Sequence, residues 1–365
     1  LATITIGKKL SRSCIITGGA GFIGTAISSK LASVFDRVVI VDNFHPQVHE
    51  DSRRPANLDP RVDVVVGNVA DSATWDNLLP TVAPDLVIHL AAETGTAQSL
   101  SESTRHAFVN VVGSSQMLDA FLRHSVVPRR ILLASSRAVY GEGEWVDGLG
   151  NRSYPGQRSK AMLDQKIWDF PGLKCLPFDS FTTHPRPTSV YGATKLAQEN
   201  IFGSWAKSFG VDLAILRLQN VYGPGQSLTN SYTGIVPFFM RMARKKQSIP
   251  VYEDGEIIRD FIYIDDVAEA ILLFARSEGN FETIYDVGLG RPISLYFLAQ
   301  KIADCYGAPS PHITGQYRHG DVRHASCSME RTVARLGWSP IWGVDKSIEA
   351  LRLWIEEKLG DGARE

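Results

Sequence analysis

Thr17-Gly18-Gly19-Ala20-Gly21-Phe22-Ile23-Gly24 follows directly on an apolar run, Ser13–Thr17, and opens a helical pattern near 22–34. Glycines at 18, 21 and 24 give the spacing G-x-x-G-x-x-G. Such glycines permit a tight strand-to-helix turn, let the backbone approach a pyrophosphate, and allow the helix to pack closely on the strand. The helix N-terminus then turns free N–H groups toward the anion. Asp42 stands eighteen residues beyond Gly24, at the end of the next apolar run. A carboxylate there accepts both hydroxyls of a ribose and repels a 2′-phosphate, which predicts NAD rather than NADP.

Outward from this turn, short β-branched runs alternate with helical patterns. Arg37–Val41, Val62–Val66, Leu86–Leu90 and Arg130–Ala134 read as further strands, with helices near 72–79 and 97–124 between them. These runs are apolar throughout, as strands covered on both faces of a parallel sheet should be. Repeated strand–helix alternation predicts an α/β fold with a doubly wound parallel sheet of the Rossmann kind. Residues 141–188, rich in Gly, Pro, Ser and Arg, break the pattern and read as a surface insertion rimming the pocket, with Trp145 and Trp168 as apolar cover. Helical spacing returns at 189–209 and a strand follows at 212–219. The expected division is a dinucleotide-binding unit over 1–222 and a smaller mixed α/β substrate region over 223–365, from which a segment near 249–290 returns to the first unit.

With 38 basic and 39 acidic residues the net charge is -1, which offers no electrostatic case for nucleic acid or an anionic membrane. No apolar run reaches the ~20 residues that span a bilayer. The first ten residues do not have the order of a signal peptide, so a cytoplasmic protein is expected. Cys14, Cys175, Cys305 and Cys327 form no C-x-x-C pair, so free thiols are expected, with neither a disulfide framework nor a metal site.

Ser135-Ser136 ends the fifth apolar run, where the carboxyl edge of the sheet meets the crevice. Downstream, Tyr191 and Lys195 are four residues apart and so share one helix face. A nearby ammonium favours the phenolate and would draw the tyrosine pKa down from about 10 toward neutrality. Tyr191 is then the expected base, Lys195 its electrostatic support, and Ser136 the group that orients a substrate hydroxyl.

The glycine turn, Asp42, Leu90-Ala91-Ala92, the stretch Ser135 to Gly141 and the Tyr191/Lys195 pair resemble the extended short-chain dehydrogenases called NAD-dependent epimerase/dehydratases. The likeness continues in Leu216 to Gly225, in Arg259 to Asp266, and in Arg318, Asp321 and Arg323. It implies a cofactor site built from Gly18, Gly21, Phe22, Ile23, Gly24, Asp42, Asn43, Asn68, Val69, Leu90, Ala91, Ala92, Asn110 and Ser135, with Tyr191 and Lys195. It also implies a nucleotide-sugar site of Thr94, Ser136, Asn220, Val251, Tyr252, Arg259 and Arg323, in which Asn220 and the two arginines hold a diphosphate. The family further implies a homodimer through the helices near 97–124 and 189–209.

Within the family, 4,6-dehydratases carry an Asp-Glu pair where this chain has Arg137 and Ala138, and decarboxylases usually place a Glu at the position of Ala138. Elimination therefore lacks its proton carriers, and 4-epimerisation remains: oxidation to a 4-keto sugar, rotation, and re-reduction on the other face. Asp42 to His49 and Gln219 to Leu228 look most like the branch that epimerises dTDP-L-rhamnose. The chain departs from that branch in having Cys175 alone within the insertion. A different reaction on a nucleotide sugar (3,5-epimerisation, decarboxylation, dehydration or net redox) and a non-catalytic dinucleotide sensor stay open at this point.

Overall fold

The computed structural model describes residues 12–49, 51–228, 234–277 and 283–360. Its centre is a parallel sheet of seven strands. The first five are β1 (Ser13–Thr17), β2 (Arg37–Asp42), β3 (Asp63–Val66), β4 (Leu86–His89) and β5 (Arg130–Ser136). The spatial order runs Ile284–Val287, Asp212–Leu218, β5, β4, β1, β2, β3. Winding thus reverses between β1 and β4, which are neighbours in register from Cys14↔Leu86 to Thr17↔His89. A ligand crevice opens at such a reversal, beyond the carboxyl ends of the strands.

The strands are apolar on both sides because both sides are covered. Alternate residues point to opposite faces. Ile16, Ile40, Ile88, Leu132 and Leu216 meet Ile27 and Leu31 of the helix Phe22–Ala32 and Val267 and Ile271 of the helix Ile264–Arg276. Ile15, Val39, Val87, Ile131 and Ile215 meet Trp75, Met117, Phe121 and Phe202 on the opposite side. β3 lies at the edge, and its Val66 is exposed.

The segment expected as one helix over 97–124 is broken. It runs as Gln98–Ser101, Ser103–Ala107, a wide π-type turn Phe108–Val112, and Gly113–Arg123. The helix Val190–Phe209 is clean: the Ser189 hydroxyl accepts the Gly192 amide at 3.0 Å, and Gly210 closes it in a left-handed conformation.

Helices Ile235–Arg244, Leu295–Tyr306 and Val344–Leu359 build a second core through Phe239, Met240, Leu298, Ile302, Leu351 and Ile355. The chain then re-enters the first: Ile284–Val287 pairs with Asp212–Leu218 as the outer strand of the large sheet.

The insertion is more structured than an excursion. Trp145–Asp147 is the central strand of a small antiparallel sheet with Arg152–Ser153 and Leu173–Cys175. Trp145 is 1% exposed, donates its indole N–H to the Glu142 carbonyl, and stacks edge-on to Phe170 and His324, so it is core rather than pocket cover. A buried ion cluster fixes the insertion. Arg158 clamps Glu253 with two bonds of 2.9 and 3.0 Å, lies 3.4 Å from Glu142, and donates to the Asp321 carbonyl at 2.8 Å. Among the described residues, no helix is long and apolar enough to cross a membrane, no His/Cys/Asp/Glu group could hold a metal, and the four cysteines are unpaired.

Candidate active site

Gly18 has φ +65°, and a Cβ there would lie 2.7 Å from the Ala91 amide nitrogen, so the turn and the end of β4 touch backbone to backbone. A Cβ at Gly24 would lie 2.3 Å from the Gly19 carbonyl oxygen, which seats the helix on the turn. Gly21 precedes that helix with no side-chain cap, and Phe22 and Ile23 at its first turn are half-buried. These are the features of an anion cradle.

Asp42 ends β2, 7% exposed, with its carboxylate accepting the amides of Ala20 at 3.0 Å and Phe44 at 2.9 Å. It is therefore locked to the glycine turn. Asn43 beside it is exposed. Asn68 accepts the Ala70 amide, and Val69 is buried with its carbonyl bonded to the Trp75 indole. Leu90, Ala91 and Ala92 lie half-buried at the mouth of β4. The cradle, with Asp42 beside it, fits NAD.

Two expected cofactor residues have their side chains bonded within the protein. Asn110 lies in the π-type turn, 0% exposed, and all its polar atoms are engaged. Its Oδ1 accepts the Glu93 amide, and its Nδ2 donates to the Glu93 carbonyl and the Thr194 hydroxyl. It ties the loop after β4 to the helix that carries Tyr191. The Ser135 hydroxyl donates to Glu199 at 2.5 Å, and Glu199 pairs with Arg217.

Ser136, at the end of β5, accepts the Ala138 amide at 3.1 Å, and its hydroxyl is near enough to the Tyr191 phenol to pull its pKa down. Lys195, expected to support Tyr191 from the same helix, has an anchor of its own. Lys195 is buried and donates to the Ala134 carbonyl at 2.9 Å. Burial lowers its pKa to about 7, against the pull of Glu199. The Tyr191 phenol is raised, not lowered, because burial disfavours its anion; the Ser136 hydroxyl and the charge of Arg137 oppose that rise.

The crevice is lined by Thr96, Arg137, Ala138, Thr188, Ser189, Arg259 and the Gly320-Asp321-Val322 loop. Arg259 donates to the carbonyls of Ile258 and Arg323. Asn220 reaches the same place, its Oδ1 accepting Arg137 Nε at 2.6 Å. Arg323 departs from the expectation: it is 2% exposed, paired with Glu253 at 2.9 Å, with both oxygens of Asp254 and with Asp169, so no free donor fork faces a diphosphate. Arg318 lies instead over the Tyr252 ring at 5.3 Å, on the loop that leads to Gly320. Val251 is buried behind Tyr252 and Thr94 is exposed. Sequence reasoning assigned no role to Arg137, Arg318 or Thr96. Arg137 carried a signal, as a charge on the residue right after Ser136.

The model of the NAD dependent epimerase/dehydratase family matches residues 14–288. A dTDP-L-rhamnose 4-epimerase from Burkholderia thailandensis is 51% identical over 358 residues, covering 98% of each chain. The structure of a UDP-glucose 4-epimerase from Thermotoga maritima with UDP-glucose superposes with TM-score 0.78 at 26% identity, over 95% of this chain and 100% of that one. A Thermus thermophilus UDP-glucose 4-epimerase in complex with NAD gives 0.75 at 26% identity, over 96% and 99%.

Proposed function

This chain belongs to the NAD dependent epimerase/dehydratase family, and from that membership we propose that it is a nucleotide-sugar 4-epimerase acting on dTDP-L-rhamnose. The observation that carries the reaction type is that the two residues after Ser136, which line the crevice, are Arg137 and Ala138. Elimination or decarboxylation needs a carboxyl group beside the base, and here a guanidinium and a methyl stand there. The 51% identity to the Burkholderia thailandensis enzyme supports the choice of sugar.

Bound there, NAD would supply the hydride acceptor and donor for the sugar carbon. Residues 1–222, joined by the helix Ile264–Arg276 and the strand Ile284–Val287, would hold the cofactor, and the rest of 223–365 would supply most of the nucleotide-sugar site. Gly18, Gly21 and Gly24 would admit the pyrophosphate, with the amides of Phe22 and Ile23 as its donors, and Asp42 would take the ribose. Tyr191 accepts the proton of the sugar 4-hydroxyl and gives it back after the sugar has turned over, while Ser136 orients that oxygen. Arg259 and Asn220 hold the diphosphate. Arg318 joins them in place of Arg323, and Val251 and Tyr252 lie along the base. A pocket of this kind grips the nucleotide end with charge and leaves the sugar free to rotate.

The protein works as a homodimer. Phe108, Val112, Leu122 and Phe209 are exposed on the two helical segments expected to pair, and Ile201, Ser204, Trp205 and Phe209 line an open apolar groove there. Sedimentation at micromolar concentration should give twice the chain mass. Its unpaired thiols suit a reducing compartment such as the cytoplasm.

The deciding experiment incubates the protein and NAD with dTDP-L-rhamnose and follows the sugar by NMR. Inversion at C4 with no net NADH supports the proposal, and a 4,6-eliminated or decarboxylated product overturns it. Tyr191→Phe should retain the fold and NAD binding, since Phe fills the same volume, and lose turnover by about 10²-fold or more.

A further inference from the structure

The loop that runs from the strand His312–Ile313 to the crevice residue Asp321 is fastened at both ends. At its start the Thr314 amide donates to the Val251 carbonyl at 2.9 Å, and the Gln316 carbonyl accepts the Glu253 amide at 2.7 Å. At its end the Asp321 carbonyl accepts Arg158 at 2.8 Å. Between these points lie Tyr317, Arg318, His319 and Gly320. Among the described residues, one hydrogen bond ties this stretch to another part of the molecule: the Tyr317 hydroxyl donates to Asp164 Oδ1.

Successive side chains diverge here. Tyr317 turns to the insertion, its ring centroid 6.3 Å from that of Trp168, and His319 stands edge-on to it at 5.8 Å. Arg318 turns to Tyr252, 5.3 Å from the ring, and is exposed. Asp164 is built to hold a hydroxyl in place. It ends the short helix Lys160–Asp164, whose first turn is capped by the Ser159 hydroxyl accepting the Met162 amide at 3.2 Å. Its Oδ2 takes Lys160 at 3.0 Å, which leaves Oδ1 to Tyr317. The Lys160–Asp164 pair is exposed and adds little stability of its own; its effect is to orient the carboxylate. Arg158, just before that cap, is sunk in the buried ion cluster with Glu253 and Glu142. The arm from Arg158 to Asp164 is thus rooted in the core at one end and grips the crevice loop at the other.

We propose that Tyr317 is a positioning residue for the substrate, its tether to Asp164 of the insertion setting where Arg318 meets the diphosphate of a nucleotide sugar. The inference rests on the functional reading above, in which Arg318 joins Arg259 and Asn220 at that diphosphate. It gives the insertion a part in substrate affinity, exerted through the loop. A guanidinium on a flexible stem gives up less freedom on binding when the backbone that carries it is already fixed.

The test compares the wild type with Tyr317→Phe and Asp164→Ala, all loaded with NAD. Amide hydrogen exchange over 317–320, with no nucleotide present, should quicken by about fivefold, the worth of one hydrogen bond, while the central sheet exchanges as before. Calorimetric titration with dTDP should show Kd rising by up to that factor, with NAD affinity unchanged. In turnover, KM for the nucleotide sugar should rise by more than kcat falls. Because the tether acts through Arg318, Tyr317→Phe should cost no further dTDP affinity in an Arg318→Ala background. Exchange at the wild-type rate in both variants overturns the proposal, and so does an equal loss of dTDP affinity with and without Arg318. A wild type that binds no dTDP overturns this proposal together with the reading it rests on. A wild type that binds dTDP without inverting dTDP-L-rhamnose refutes the epimerase reading alone, since neither exchange nor dTDP binding requires turnover.

Discussion

Arg158→Met removes the centre of the cluster that fastens the insertion to the crevice loop. Arg158 is 2% exposed and meets Glu253, Glu142 and the carbonyls of Asp321 and Trp168. Met fills much of the volume but leaves two carboxylates that are each 1% exposed. Removing one partner of a buried pair costs about 3–5 kcal/mol. Arg323 still holds Glu253 at 2.9 Å, so the lower end, about 3 kcal/mol, is expected. At roughly 2 cal/mol/K of unfolding entropy per residue, 365 residues turn that into a fall of about 4 °C in Tm.

The loss should also depend on pH in a defined direction. Burial already raises Glu142 above the ordinary glutamate value, with Arg158 the largest opposing influence. Without Arg158 the folded-state pKa rises further. A carboxyl group raised in the fold contributes stability below its unfolded pKa and loses it as pH rises through the folded one. The deficit of the variant should therefore shrink as the medium is made acidic enough to neutralise Glu142. Thermal scans across pH, together with KM for the nucleotide sugar, are the assay. KM should rise because the Asp321 loop loses its anchor. A Tm within about 1 °C of wild type at neutral pH, with KM unchanged, would refute the idea that this cluster holds the crevice wall.

Three further outcomes are expected. Asp42→Ala should weaken NAD binding by about 1.5–3 kcal/mol, the worth of a charged hydrogen bond, and narrow the preference over NADP, read by calorimetric titration of both cofactors. Arg259→Ala should cost a similar amount in affinity for dTDP while leaving NAD binding intact; unchanged dTDP affinity would remove the diphosphate from this site. Asp286 is raised from 3.8 to about 7 by burial, while its Tyr140 hydrogen bond opposes the shift. Its stabilising proton is present below about pH 4 and lost as pH rises through about 7, so urea unfolding of Asp286→Asn should gain on wild type across that window.

The central sheet was legible because its strands are buried on both faces, and a run such as Ile15-Ile16 beside Val38–Val41 has few other uses. The glycine turn was legible because its constraints are local: Gly18 and Gly24 answer to backbone within a few ångströms. The break in the helix near 108 was not, because a π-type turn inserts itself without disturbing the apolar spacing on either side. The role of Arg323 was hidden for a different reason. Its partners Glu253, Asp254 and Asp169 are 70, 69 and 154 positions away, and no local pattern reports such a convergence. The bond of Lys195 to Ala134 was not legible, because spacing places two side chains on one face but does not say where a flexible ammonium finds its acceptor.

The strand Ile284–Val287 carries a practical consequence for anyone dissecting the molecule. A fragment ending at residue 222, the natural place to cut by sequence, would strip the outer strand from Asp212–Leu218 and take the helix Ile264–Arg276 from the sheet face. Ile215, Leu216 and Leu218 would then sit along a bare edge, with unpaired amides and carbonyls beside newly wetted aliphatic surface. Such edges recruit other chains. The excised fragment should therefore come out of expression as aggregate, whereas fusion of a segment containing 264–287 by a short linker should return it to solution.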